Sequence, residues 1–149
     1  MIIIAHRGLL EGSNSAIENS PSQIEKAIKE KFDVEIDIWY KDKKLYLGHD
    51  YPQYEIHLTW LRSIAPHSWI HCKNIDALLF FHQKKEFHYF WHEEDTVTIT
   101  SLNYIWAYPG KQPIDGSIAV MPEIHNETTD TCIGICTDFS YEYRKRYSL

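Results

Sequence analysis

Strand signals alternate with helix signals through the first half of this chain, and that alternation restricts the fold more than any other feature. Residues 2–5 form an apolar run that ends abruptly on His6-Arg7-Gly8. A strand buried on both faces has this look, apolar until it emerges and then polar at its rim. A surface loop after an amino-terminal strand is the other reading of the same stretch. A helix signal follows at Ser20-Pro21-Ser22-Gln23, with a capping serine, a proline for the first turn and a glutamine at the third helical position. Residues 32–39 alternate apolar and acidic, which predicts a strand with its carboxylates on one side. A strand at 45–50, a helix at 57–64, a strand at 68–72 and a helix from an Asn74 cap to Lys84 continue the pattern. Beyond that point helices fade. Residues 87–92, 96–100, 117–123 and 133–137 read as strands joined by turns such as Tyr108-Pro109-Gly110, and 141–147 as a terminal helix. The βα alternation predicts an α/β fold with a parallel sheet, open or closed into a barrel.

A length of 149 residues fits one domain, 1–149, that buries enough apolar surface to fold without a metal or disulfide. The net charge of −6 argues against nucleic acid as a partner, because such binding is dominated by cationic contacts to phosphate. Cys72, Cys132 and Cys136 include no CxxC pair, which points away from a disulfide framework and towards a reducing compartment. No basic leader or bilayer-spanning run is visible, so the expectation is a soluble, cytoplasmic protein without stable membrane insertion. Five Trp and ten Tyr are more than so short a chain usually carries. Their default use is to fill a small core, with a ligand wall around Trp91, Trp106 and Tyr108 as the alternative.

Glu35 and Asp37 lie two residues apart on the alternating strand and project from one face, while Val34, Ile36 and Ile38 supply the other. In a parallel βα sheet both faces are covered, so the two carboxylates point inward, and a divalent cation is the cheapest way to satisfy them.

The series His6-Arg7-Gly8, Glu18-Asn19-Ser20, Glu35-Ile36-Asp37 and His49-Asp50 resembles the ordered HRG, EN(S/T), ExD and HD motifs of the glycerophosphodiester phosphodiesterase family. That family shares a barrel fold and a general mechanism with phosphatidylinositol-specific phospholipase C and sphingomyelinase D. The likeness continues more thinly to the strand ending at Lys73 and to residues 134–138, which are similar to the family's last barrel strand. The resemblance implies a metal-dependent phosphodiester hydrolase of lipid metabolism, acting on a glycerophosphodiester or a related alcohol or sugar diester. It implies His6 and His49 as the acid–base pair, Arg7, Asn19 and Lys73 at the phosphate, Glu18 in support, and Glu35 and Asp37 on one divalent cation, Mg²⁺, Ca²⁺ or Mn²⁺. Where family members carry a carboxylate two residues before the lysine, this chain has His71, whose nitrogen favours Mn²⁺ if it is a ligand.

The chain also departs from the family. A complete barrel of this kind takes about 250 residues. The expectation is therefore a contracted TIM-like (β/α) barrel with several outer helices missing in the second half. The alternative is an incomplete sheet closed by a second copy of the chain in a homo-oligomer. A second functional reading is a non-catalytic domain that binds a phosphate ligand. Keeping both histidines favours catalysis, because binding needs only the cations.

Overall fold

A computed structural model describes residues 1–149, and in it the first apolar run becomes β1 (Ile2–His6). The helix signal is realised as α1 (Pro21–Lys29), where the Ser20 hydroxyl accepts from the Gln23 backbone N–H at 3.4 Å and Ile24 and Ala27 are buried. The alternating segment forms β2 (Asp33–Lys41). An antiparallel hairpin, β3 (Lys44–Leu47) and β4 (Tyr54–Ile56), follows it and leads into α2 (Leu58–Ile64) and β5 (Ser68–Cys72). In α3 (Ile75–His82), Asn74 caps the Ala77 N–H and also clamps both backbone polar groups of Tyr40. The second half holds β6 (His88–Phe90), β7 (Val97–Ile99), β8 (Ile105–Ala107), β9 (Ser117–Val120) and β10 (Gly134–Thr137), with α4 (Ser140–Arg146) after them.

Helices are absent between β6 and β10 apart from one 3-10 turn, Pro122–Ile124. The strand expected over 117–123 ends at Val120, where Met121 turns left-handed and Pro122 cannot donate to a ladder. The strands expected at 87–92 and 96–100 are likewise shorter, and the one at 45–50 stops at Leu47. Two strands had no sequence signal that separated them from turns: β4, only three residues long, and β8, inside the aromatic segment Tyr104–Tyr108.

The sheet is mixed and curls into a half-barrel. Its parallel part runs β6-β5-β2-β1-β10-β9-β8, while β7 adds antiparallel to β8 and the β3–β4 hairpin continues the far end of β2. β6 and β8 do not pair with each other. Ser101, in the turn after β7, donates its N–H to Tyr89 O at 2.8 Å and is a backbone link across that seam.

Register places the polar residues. His6, Glu35, Trp69 and His88 are successive partners across four strands, and Asp37, His71 and Phe90 form the next row on the same face. Val34, Ile36 and Ile38 point the other way, into a core of 21 buried residues beneath the helices. The concave face has its own smaller core of Ile4, Trp69, Phe90, Trp106, Ile118, Val120 and Cys136. Most of the aromatic surplus is spent on these cores. The Phe90 and Trp106 rings lie 4.6 Å apart, a side-chain contact across the seam where backbone pairing is missing.

His88 also closes this seam: its Nε2 meets the Thr100 hydroxyl at 2.7 Å and its ring lies 4.2 Å from Trp69. Burial pulls its pKa down to about 4, so the folded chain refuses a proton that an unfolded histidine accepts near pH ~6.5. Stability is therefore lost as pH falls from about 6.5 to about 4, by roughly 3 kcal/mol, and no further below that. Urea titrations of His88→Gln should show a shallower loss over this window than the wild type. Identical slopes would rule out the assignment.

Candidate functional site

At the carboxyl ends of the parallel strands lies a polar cavity of about 350 Å³ whose wall includes His6, Arg7, Glu35, Asp37, His49, His71 and Lys73. Seven of the nine residues singled out in the sequence therefore meet in one place; Glu18 and Asn19 stand behind them.

Arg7 and Gly8 both take left-handed conformations, which turns the chain sharply off β1 and lets α1 pack close. A Cβ on Gly8 would meet the Ile24 backbone at 3.2 Å, so only glycine fits this approach. The turn swings the Arg7 guanidinium over β2, where Nε lies 3.2 Å from Asp37 Oδ2 and Nη1 donates to Glu18 at 3.0 Å. Glu18 thus holds the arginine in place. Asn19, expected at the phosphate, is wholly buried and spends both amide groups on Asp37: Nδ2 donates to Oδ2 at 2.9 Å, and Oδ1 accepts the Asp37 backbone N–H at 3.0 Å.

His6 is held by a residue that the sequence did not single out. Its Nδ1 lies 2.7 Å from Asp138 Oδ1, at the turn after β10, and the Ser13 hydroxyl donates to the other Asp138 oxygen. The ring's Nε2 then faces Glu35 at 3.9 Å. Burial lowers the His6 pKa, but the Asp138 hydrogen bond and the Glu35 charge outweigh it and raise the pKa above its ordinary value. The available signal was positional: Asp138 follows a strand end, as His6-Arg7 does.

His71 Nε2 lies 2.8 Å from the His92 carbonyl oxygen. A carbonyl only accepts, so Nε2 carries the proton. Nδ1 then faces Asp37 Oδ1 at 3.1 Å and Glu35 Oε1 at 3.7 Å. Asp37 Oδ1 is buried without a hydrogen-bond partner. Three lone-pair-bearing atoms thus converge within 4.8 Å of one another, with Arg7 and Lys73 supplying positive charge on the Asp37 side. A divalent cation fits this donor set, and an imidazole that donates its far N–H to a carbonyl is the usual arrangement of a metal-bound histidine. Burial and the Asp37 charge raise the Glu35 pKa; burial also pushes Asp37 up, but His71, Lys73 and Arg7 pull it well below the ordinary carboxylate range.

His49 sits across the cavity on the loop after β3, half-exposed, its Nδ1 2.8 Å from Asp50. Its loop is set by Gly48, where a Cβ would collide with Tyr51 O at 2.1 Å and where the carbonyl accepts from Trp39 Nε1 at 2.7 Å. Lys73 Nζ reaches to 3.5 Å from Asp37. Of the expected aromatic wall, Trp106 and Tyr108 line the cavity, whereas Trp91 packs against the outer core. Glu123 lies outside the cavity and accepts from the Thr137 hydroxyl. All three cysteines are buried, and burial raises each thiol's pKa, that of Cys72 to about 12.

No family model, curated protein or solved structure matches this chain. No helix is long and apolar enough to cross a membrane.

Proposed function

We propose that this chain is a metal-dependent phosphodiester hydrolase built on a contracted (β/α) barrel. The observation that carries the reading is the convergence in one cavity of His6 and His49, the cations Arg7 and Lys73, and a Glu35–Asp37–His71 cluster suited to a divalent ion. Strand order supports the barrel: successive parallel strands lie side by side, β10 returns to β1, and the one break is the β6–β8 seam.

Each group has a task. Glu35, Asp37 and His71 would hold the cation, which supplies Lewis-acid polarisation of a phosphoryl oxygen when bound. Arg7 presents a planar fork to the remaining phosphate oxygens, and Lys73 adds a point charge from β5's end. His6 and His49 divide the proton work, one accepting from the nucleophile and the other donating to the leaving alkoxide. Asp138 holds His6 in one tautomer with Nε2 free for the reaction. The volume stands near the lower end of the roughly 300–1,000 Å³ usual for small-ligand sites, which suits a small diester such as a glycerophosphodiester.

The test is hydrolysis of glycerophosphodiesters and an activated aryl diester with Mg²⁺, Mn²⁺ or Ca²⁺ added, and with a chelator. Metal-dependent release of one alcohol per diester is the expected result. The binding-only alternative predicts otherwise, because the cations and the acidic cluster suffice to hold a phosphate ester. Tight, metal-dependent binding of phosphate esters with no product formed would select that alternative.

A further inference from the structure

Lys73 follows β5 directly and shares a face with His71, two residues before it, so its side chain turns into the cavity. Its only ion pair is with Asp37 Oδ1, at 3.5 Å, and that same oxygen lies 3.1 Å from His71 Nδ1. Asp37 Oδ1 is buried and accepts no hydrogen bond. The ammonium and the carboxylate are therefore held together by charge, not by an aligned N–H···O contact. Arg7 is different. Its Nη1 donates to Glu18 at 3.0 Å and its backbone N–H to Glu35 at 3.2 Å, which fixes the residue where it stands. Lys73 has no such second anchor, and its ammonium rides on a four-carbon stem that turns about several bonds.

This ammonium supplies positive charge at the carboxylate that a divalent ion on Glu35, Asp37 and His71 would claim. Like charges a few ångströms apart repel strongly where water is scarce, and the Lys73 side chain is only 16% exposed. A cation at the cluster and an ammonium on Asp37 thus compete for one negative charge. The flexible group is the one that yields.

We propose that Lys73 is a built-in counter-ion for Asp37 that a divalent cation displaces, and that the displaced ammonium turns to the phosphate, so that cation and phosphate ester each tighten the binding of the other. The proposal rests on the reading of the cavity as a cation and phosphate-ester site, but not on turnover. In the metal-free chain Lys73 is spent on Asp37, and the site holds phosphate poorly. Linkage makes the effect reciprocal: whatever factor the cation adds to phosphate affinity, phosphate adds to cation affinity.

The test measures two affinities on the full chain, that of Mn²⁺ by electron paramagnetic resonance of the free ion and that of methyl phosphate by calorimetry. In the wild type Mn²⁺ should tighten methyl phosphate by about 5–150-fold, the usual range for coupled sites. Lys73→Met should bind Mn²⁺ several-fold more tightly than the wild type, bind methyl phosphate more weakly, and show a smaller coupling between them. Lys73→Arg, which keeps the charge, should leave Mn²⁺ affinity close to that of the wild type. A lysine that only binds phosphate would leave Mn²⁺ affinity unchanged on removal, and one that only supports the fold would weaken both ligands, so the opposite signs identify the displaced counter-ion. Metal-free Lys73→Met should also melt lower, because Asp37 has lost its partner, and Mn²⁺ should raise its melting temperature by more than it raises that of the wild type. Lys73→Gln, which keeps a hydrogen-bonding group, should show the same signs, so the result does not hang on the folding of one variant. Unchanged or weaker Mn²⁺ binding in both neutral variants, or equal methyl phosphate binding by the wild type with and without Mn²⁺, would overturn the proposal. Absence of Mn²⁺ or methyl phosphate binding under every condition would defeat the reading of the cavity and this coupling with it. Absence of hydrolysis from every diester would defeat the hydrolase reading alone, because the two affinities still decide the role of Lys73.

Discussion

His6→Ala and His49→Ala should each lower kcat/KM on an activated aryl diester by about 10²–10⁴-fold, the contribution typical of a positioned proton donor or acceptor. The two variants differ in what else they disturb. His49 is half-exposed on a loop, so its removal leaves the fold unchanged. His6 is the partner of Asp138, a carboxylate only 3% exposed, and taking the ring away leaves that charge with Ser13 alone. His6→Ala should therefore also melt lower, and His6→Asn, which keeps a hydrogen bond to Asp138, separates lost chemistry from lost stability. Both histidines must act in opposite protonation states, so the rate should rise and fall with pH. A single titration, or near-wild-type rates in either variant with chemistry shown to limit turnover, would contradict the assignment.

Metal preference should follow the donor set of Glu35, Asp37 and His71. Two carboxylates and one imidazole suit Mn²⁺ better than Ca²⁺, which favours an all-oxygen shell. Metal-stripped protein should thus bind and respond to Mn²⁺ more strongly than to Ca²⁺. His71→Glu should shift the preference towards Ca²⁺ or Mg²⁺, and His71→Ala should weaken Mn²⁺ binding by at least about 10–100-fold, the loss seen even for outer-shell changes. Electron paramagnetic resonance of free Mn²⁺ during titration reads the affinity without relying on activity. Unchanged Mn²⁺ affinity in His71→Ala would remove His71 from the site, although the two-histidine mechanism would survive.

Local periodicity and capping chemistry were enough to read some of this molecule from its residues. The alternation over 32–39 put Glu35 and Asp37 on one face and Val34, Ile36 and Ile38 on the other, because side chains alternate along any strand whatever surrounds it. Ser20-Pro21 placed the start of α1, because a cap is a contact between residues three apart. The loss of helices after α3 was also legible. The resemblance to a phosphodiesterase series gathered His6, Arg7, His49, His71 and Lys73, all of which line one cavity.

Other features depended on contacts between distant parts of the chain. Asp138 meets His6 across 132 positions because β10 lies beside β1 in a particular register. Asn19 serves Asp37 because the left-handed turn at Arg7 folds its segment back over β2. His92 reaches His71 through its backbone carbonyl, a group with no signature in any sequence. The curl of the sheet, its unpaired seam and the Phe90–Trp106 contact across it were likewise decided by packing. The physical reason is the same in each case: periodicity and caps are set by neighbours along the chain, whereas register and closure are set by how whole strands bury one another.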